Sequence, residues 1–178
     1  MSSFEVIGGK KLKGEIIPQG AKNEALQVIS AVLLTADEVT IHNIPDIIDV
    51  NLQIGLLRDL GVSVQRHDAH SCTFKAASVN IDYLSSPEYR MKTGKLRGSV
   101  MLAGPLLARF KKAFIPKPGG DKIGRRRLDT HITGFRKLGA DFDFNKDEYF
   151  FHLHTNGLQG AYITLDEPSV TGTANLIM

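Results

Sequence analysis

The sequence predicts an α/β (α+β) fold built of a repeated unit, and three observations carry that prediction. Apolar residues at helical spacing alternate with short apolar strands. The order helix–strand–helix–strand–strand occurs twice, and recurrence over a long period marks internal duplication. Leu56-Leu-Arg-Asp-Leu-Gly-Val62 and Phe135-Arg-Lys-Leu-Gly-Ala140 occupy the same place in the two copies, where a helix ends and a strand begins.

Residues 4–8 and 15–17 read as two short strands around Gly9-Lys-Lys-Leu-Lys-Gly14. Ala25, Leu26, Val28, Ile29, Val32 and Leu33 predict a helix over 22–34. A strand over 38–42 follows and is broken at Asn43-Ile-Pro45. Val50, Ile54, Leu57 and Leu60 mark the next helix, with Asp46 or Asp49 as its N-cap and Gly61 as the residue just past its end. Residues 62–66 and 71–75 form a hairpin. The second copy starts with a helix over 96–108, which Pro105 is expected to kink. A strand over 112–115, a glycine-rich loop, a helix over 130–138 and a hairpin of 141–145 with 149–154 complete it. A third copy begins at Gly172-Thr-Ala-Asn-Leu-Ile-Met178, whose apolar end has no terminating signal, so the chain reads as part of something longer.

The most informative segment is Lys117-Pro-Gly-Gly-Asp-Lys-Ile-Gly-Arg-Arg-Arg-Leu-Asp-Thr-His131. Paired glycines free the backbone, Asp121 supplies one carboxylate, and Arg125, Arg126 and Arg127 supply guanidinium groups. Arg binds phosphate or carboxylate through a bidentate fork, and a helix start nearby adds backbone donors. Such a loop suits a small, heavily anionic ligand; a basic run can also be only a solvated face.

Composition narrows the alternatives. The formal net charge is +3, so no global field marks a nucleic-acid binder, and there is no Trp. No apolar run approaches the roughly 20 residues of a membrane span, and Met1-Ser-Ser-Phe-Glu-Val6 shows no secretory pattern. The single Cys72 suits a reducing cytoplasm and reads as core. No Gly-Lys-Ser or Gly-Lys-Thr follows the glycines, which excludes a Walker A loop. His67, His70 and Cys72, or His152 with His154, match no standard zinc spacing. Neither metal nor cofactor is expected.

Four segments together carry a family resemblance: Gln19-Gly-Ala-Lys-Asn-Glu-Ala-Leu26, Lys95-Leu-Arg-Gly-Ser99, Gly119-Gly-Asp-Lys-Ile-Gly-Arg-Arg126 and Leu165-Asp-Glu-Pro-Ser-Val170. In this order they resemble the UDP-N-acetylglucosamine 1-carboxyvinyltransferase family of enolpyruvyl transferases, over essentially the whole chain. The Lys22-Asn23 pair separates it from the related enolpyruvylshikimate-phosphate synthases, which carry Lys-Ser there. The resemblance implies an inside-out α/β barrel of βαβαββ units, here truncated in the third unit. Residues 1–21 would be strands of the second domain of the full-length enzyme, and 22–178 most of the first domain. It implies a cytoplasmic enzyme that moves the enolpyruvyl group of phosphoenolpyruvate to the sugar 3′-hydroxyl, the first committed step of peptidoglycan synthesis. The chain alone would lack the general base and so be inactive.

The resemblance also implies residue roles. Lys22 would meet the phosphoenolpyruvate phosphate, Asn23 the sugar and the reaction intermediate, and Arg97 would add positive charge. Arg126 would reach both substrates' phosphates. Leu128, Asp129, Thr130 and His131 would pass the uracil ring, chiefly by backbone contacts. Ser169, Val170 and Thr171 would bind the nucleotide diphosphate. Asp121 would be the proton donor, where most members carry the cysteine that fosfomycin alkylates. Arg125 and Arg127 depart from the family's Ala and Pro and read as surface charges. Glu167 departs from a frequent lysine. A shikimate-type enolpyruvyl transferase, an inactive fragment, and an anion- or nucleic-acid-binding module remain the alternatives.

Overall fold

The computed structural model describes residues 3–116, 128–146 and 150–178. Its elements are α1 (Lys22–Ala31, continued by a 3-10 turn Val32–Leu34), β1 (Glu38–Ile41), α2 (Ile48–Asp59), β2 (Ser63–Asp68) and β3 (Ser71–Lys75). A connecting stretch holds a 3-10 helix Ile81–Ser85 and α3 (Pro87–Thr93). A second 3-10 helix, Arg97–Leu102, runs into α4 (Ala103–Phe110). Then come β4 (Lys112–Pro116), α5 (Asp129–Lys137), β5 (Asp141–Asn145), β6 (Phe150–His154) and α6 (Val170–Ile177).

The two copies match in topology. Each makes a three-stranded antiparallel sheet whose last strand lies in the middle, β1-β3-β2 and β4-β6-β5. In the first, Phe74 faces Val39 on one side and Val64 on the other; in the second, Leu153 faces Ala113 and Phe142. Both central side chains are buried. The helices α1, α2, α4, α5 and α6 pack on one another in the middle and the sheets wall them on the outside. This is the inside-out arrangement, and the core runs through Ile29, Leu33, Leu57, Leu102, Leu106 and Phe135.

The duplication extends to helix ends. The Val62 N–H donates to the Leu57 carbonyl at 2.9 Å and the Gly61 N–H to Arg58 at 2.9 Å. In the second copy Ala140 donates to Phe135 at 3.0 Å and Gly139 to Arg136 at 3.0 Å. Both glycines are left-handed, with φ of 91° and 89°. These are two Schellman caps, and the left-handed residue is where a missing Cβ removes the steric penalty. The chain leaving each hairpin then returns to the same helix end: Asn80 N–H reaches the Leu60 carbonyl, and Gln159 N–H the Leu138 carbonyl.

Three expectations need correction, and one helix was not expected. Residues 4–8 and 15–17 form no strand; they are extended coil with Phe4, Ile7 and Ile16 in solvent. A short apolar segment becomes a strand only when it pairs with another strand, and these segments pair with none of the described strands. Neither Asp46 nor Asp49 caps α2. Ile47 holds the cap position without a side-chain bond, Asp46 accepts from Asn51 Nδ2 at 2.8 Å, and Asp49 lies in the first turn. Pro105 does not kink a continuous helix. The helix is already divided into a 3-10 turn and α4, and Pro105 stands in the first turn of α4, where its missing N–H would have no intrahelical partner. The helix α3 was not anticipated, although Ser86 caps it by accepting from Tyr89 N–H at 3.0 Å and Pro87 opens it.

Candidate functional site

Three helical segments occupy the same place in successive units: α1, the 3-10 helix into α4, and α6. Their first turns converge, together with that of α2, on one cleft of about 300 Å³. Lys22 and Asn23 open α1, Asp49 is the second residue of α2, Arg97 opens the 3-10 helix, and Thr171 is the second residue of α6. All five line the cleft. Helix starts carry unpaired backbone N–H groups and the positive end of the dipole, so the frame itself favours an anion.

Close packing makes the convergence possible. Gly98 lies against α1, where an added Cβ would come within 2.9 Å of Leu26 Cδ1. Gly104 lies against α6, where an added Cβ would approach the Asn175 carbonyl oxygen to 2.3 Å. A larger residue at Gly104 would push α6, and with it Thr171, out of position.

Among the described residues, the cleft is lined by two cations, Lys22 and Arg97, and one carboxylate, Asp49. Lys22 Nζ donates to Asp49 Oδ2 at 2.6 Å. A lysine at a helix N-terminus is electrostatically unfavourable, and this carboxylate offsets it. Asp49 was legible in the sequence only as a candidate cap, because its partner is 27 residues away and on another helix. Met101 and Gln27 also line the cleft and carried no sequence signal for it, and Gly98 was quoted only as part of the segment around Arg97.

The remaining expected residues separate into two groups. Asp121 and Arg126, with Arg125 and Arg127, lie outside the described residues. Leu128, Asp129, Thr130 and His131 are at the start of α5, one layer behind the cleft rather than lining it. Leu128 is buried in the cap position. The Thr130 hydroxyl donates to Asp166 Oδ1 at 3.0 Å, tying α5 to the segment before α6, with Glu167 beside it. His131 is buried and kept neutral: burial first, then the Arg97 charge, lower its pKa from 6.5 to about 4. Ser169 caps α6 by accepting from Gly172 N–H at 3.0 Å, and Val170 is exposed; neither lines the cleft.

The histidines of the first hairpin are engaged elsewhere. His67 Nε2 is 2.7 Å from Thr73 Oγ1 and His70 Nδ1 is 2.8 Å from the Ile44 carbonyl. Cys72 is buried in the core.

Comparison with known proteins agrees with this architecture. The family described as EPSP synthase (3-phosphoshikimate 1-carboxyvinyltransferase) matches residues 6–178. Proteins named UDP-N-acetylglucosamine 1-carboxyvinyltransferase are similar along all 178 residues: 57% identical in Bacteroides fragilis, 56% in Porphyromonas gingivalis and 43% in Borreliella burgdorferi. The chain spans 41%, 41% and 40% of those relatives. Among solved structures, the enolpyruvyl transferase NikO from Streptomyces tendae superposes with a TM-score of 0.68 at 19% identity, over 85% of this chain and 32% of that one. EPSP synthase from Acinetobacter baumannii superposes with a TM-score of 0.68 at 16% identity, over 95% and 38%. At such identities the structures speak for the fold alone. The fold, the repeat and the match over residues 6–178 together place the chain in the EPSP synthase (3-phosphoshikimate 1-carboxyvinyltransferase) family.

Proposed function

We propose that the protein to which this chain belongs transfers the enolpyruvyl group of phosphoenolpyruvate to the 3′-hydroxyl of UDP-N-acetylglucosamine and releases phosphate. The observation that carries the reading is the meeting of Lys22, Asn23 and Arg97 at converging helix starts in one cleft. Both substrates are anionic, and such a frame stabilises phosphate and carboxylate without reorganising during the reaction.

In this reading the sugar hydroxyl oxygen bonds to C2 of phosphoenolpyruvate while C3 takes a proton. Phosphate then leaves as C3 gives up a proton and the double bond re-forms. Lys22 and Arg126 bind the phosphate, Asn23 orients the sugar, and Arg97 adds charge to the cleft. Asp121 is the acid that protonates C3, which requires its carboxyl to be protonated in the substrate complex. Residues 1–21 pair with a second domain that supplies the general base, and 22–178 form most of the first domain. The enzyme acts in the cytoplasm, in cell-wall synthesis, and this chain alone is inactive.

A phosphate-release assay on the full-length protein tests the reading. Release is expected with phosphoenolpyruvate and UDP-N-acetylglucosamine together. Release only when shikimate 3-phosphate replaces the sugar nucleotide would assign the protein to the sister activity.

A further inference from the structure

Asn175 lies in the second turn of α6 with 1% of its surface exposed, and its amide is held from three sides. Its Oδ1 accepts the Gly104 N–H at 2.7 Å, and its Nδ2 donates to the Val100 carbonyl at 2.8 Å. A backbone N–H only donates and a carbonyl only accepts, so these two bonds fix which end of the amide is which. The second Nδ2 proton is then directed at His131 Nδ1, 3.1 Å away. That nitrogen must accept. A neutral imidazole that accepts at Nδ1 carries its proton on Nε2. Nε2 is 3.4 Å from the hydroxyl oxygen of Thr171, which lines the cleft.

We propose that His131 is a positioning residue: locked by Asn175 as the Nε2–H form, it donates to Thr171 and leaves the Thr171 hydroxyl proton to be given to a ligand oxygen in the cleft. Burial and the Arg97 charge keep the ring neutral, so the donor pattern is constant near neutral pH. The bond from His131 takes one lone pair of the Thr171 oxygen and leaves its proton free to point at the ligand. That proton favours an acceptor group, and a phosphate oxygen is the strongest one for a cleft framed by helix starts. Naming the sugar-nucleotide diphosphate as that group rests on the function proposed above. The tautomer does not.

Two measurements on the full-length protein test the relay. Long-range 1H–15N spectra of 15N-histidine-labelled protein at pH 7 are expected to show His131 with its proton on Nε2 and a bare Nδ1. A proton on Nδ1, or an imidazolium, would overturn the proposal. Thr171→Val is expected to raise the KM for UDP-N-acetylglucosamine by roughly ten-fold or more, the worth of one hydrogen bond to a charged group, with kcat within about two-fold. Thr171→Ser should restore it. Asn175→Asp removes the donor to Nδ1 and is expected to move the His131 proton to Nδ1 and reproduce the Thr171→Val effect. Because that buried change can unfold the protein, the exposed Thr171 pair decides if it does. Wild type that neither binds UDP-N-acetylglucosamine nor releases phosphate would sink the proposed function alone. The same Thr171 comparison with inorganic pyrophosphate then decides the relay, and equal affinity of wild type and Thr171→Val refutes it.

Discussion

Replacing Lys22 with alanine should cost activity and almost no stability. The Lys22–Asp49 pair is short, 2.6 Å, but the side chains are 48% and 38% exposed. Water and salt screen such a pair, and its contribution to folding is about 0–1 kcal/mol. Losing it also removes a cation from the start of α1, which returns about 0.3–1 kcal/mol, and leaves Asp49 well placed at the start of α2. The two effects nearly cancel, so the urea midpoint of Lys22→Ala should match wild type within the equivalent of about 1 kcal/mol. Under the proposed function the same ammonium faces phosphate in a drier, substrate-filled cleft. A charge-assisted contact made there is worth about 2–4 kcal/mol. That corresponds to a loss of about 30- to 900-fold in kcat/KM for phosphoenolpyruvate. Phosphate release measured against substrate concentration, beside urea unfolding of the same two proteins, checks both halves. A variant within about three-fold of wild-type kcat/KM, or one whose lost activity tracks lost stability, would refute the reasoning.

Arg109 joins the two repeats, since its Nη1 lies 2.8–2.9 Å from the carbonyls of Leu33, Thr35 and Ala76. Two protons serve three acceptors, so Arg109→Leu should cost about 2–4 kcal/mol in chemical denaturation; a loss under about 1 kcal/mol would show that the link is decorative. His131 titrates near 6.5 when unfolded and about 4 when folded. Between those values the unfolded chain holds more protons, so stability should be full above pH 6.5 and fall by up to about 3 kcal/mol as the pH drops to 4. Thermal melts of His131→Gln over the same range should lack this component. Asp121→Cys should make the protein sensitive to fosfomycin and add the drug's mass, because thiolate attacks an epoxide far better than carboxylate does; an adduct on wild type at Cys72 would count against Asp121 as the acid.

Local signals were legible and distant pairings were not. Gly61 and Gly139 follow leucine at the ends of apolar helices, a pattern whose left-handed conformation leaves few alternatives, and both caps form. The hairpins followed from alternation and polar tips. The family resemblance placed Lys22, Asn23, Arg97 and Thr171 around the substrates, and these four line one cleft. Asp49 was hidden because a carboxylate near a helix start has an ordinary local explanation, and its partner lies on α1. His131 was expected near the ligand through its backbone; its buried ring instead contacts Asn175 and Thr171, 44 and 40 residues away. The segments 4–8 and 15–17 are extended but unpaired, because a short apolar segment becomes a strand only where a partner strand accepts its hydrogen bonds.

The cleft lies where equivalent helices of three units meet, and that has a consequence for how such a site can vary. Each unit contributes the same backbone feature, a helix start, but a different side chain: lysine and asparagine from the first, arginine from the second, threonine from the third. The attraction for an anion is written into the repetition, whereas the choice among anions is written into the departures from it. One unit can therefore exchange the side chain at its helix start while the other two keep the frame in place. No unit holds the site by itself: the frame comes from what the units share, and any preference among anions comes from the side chains in which they differ.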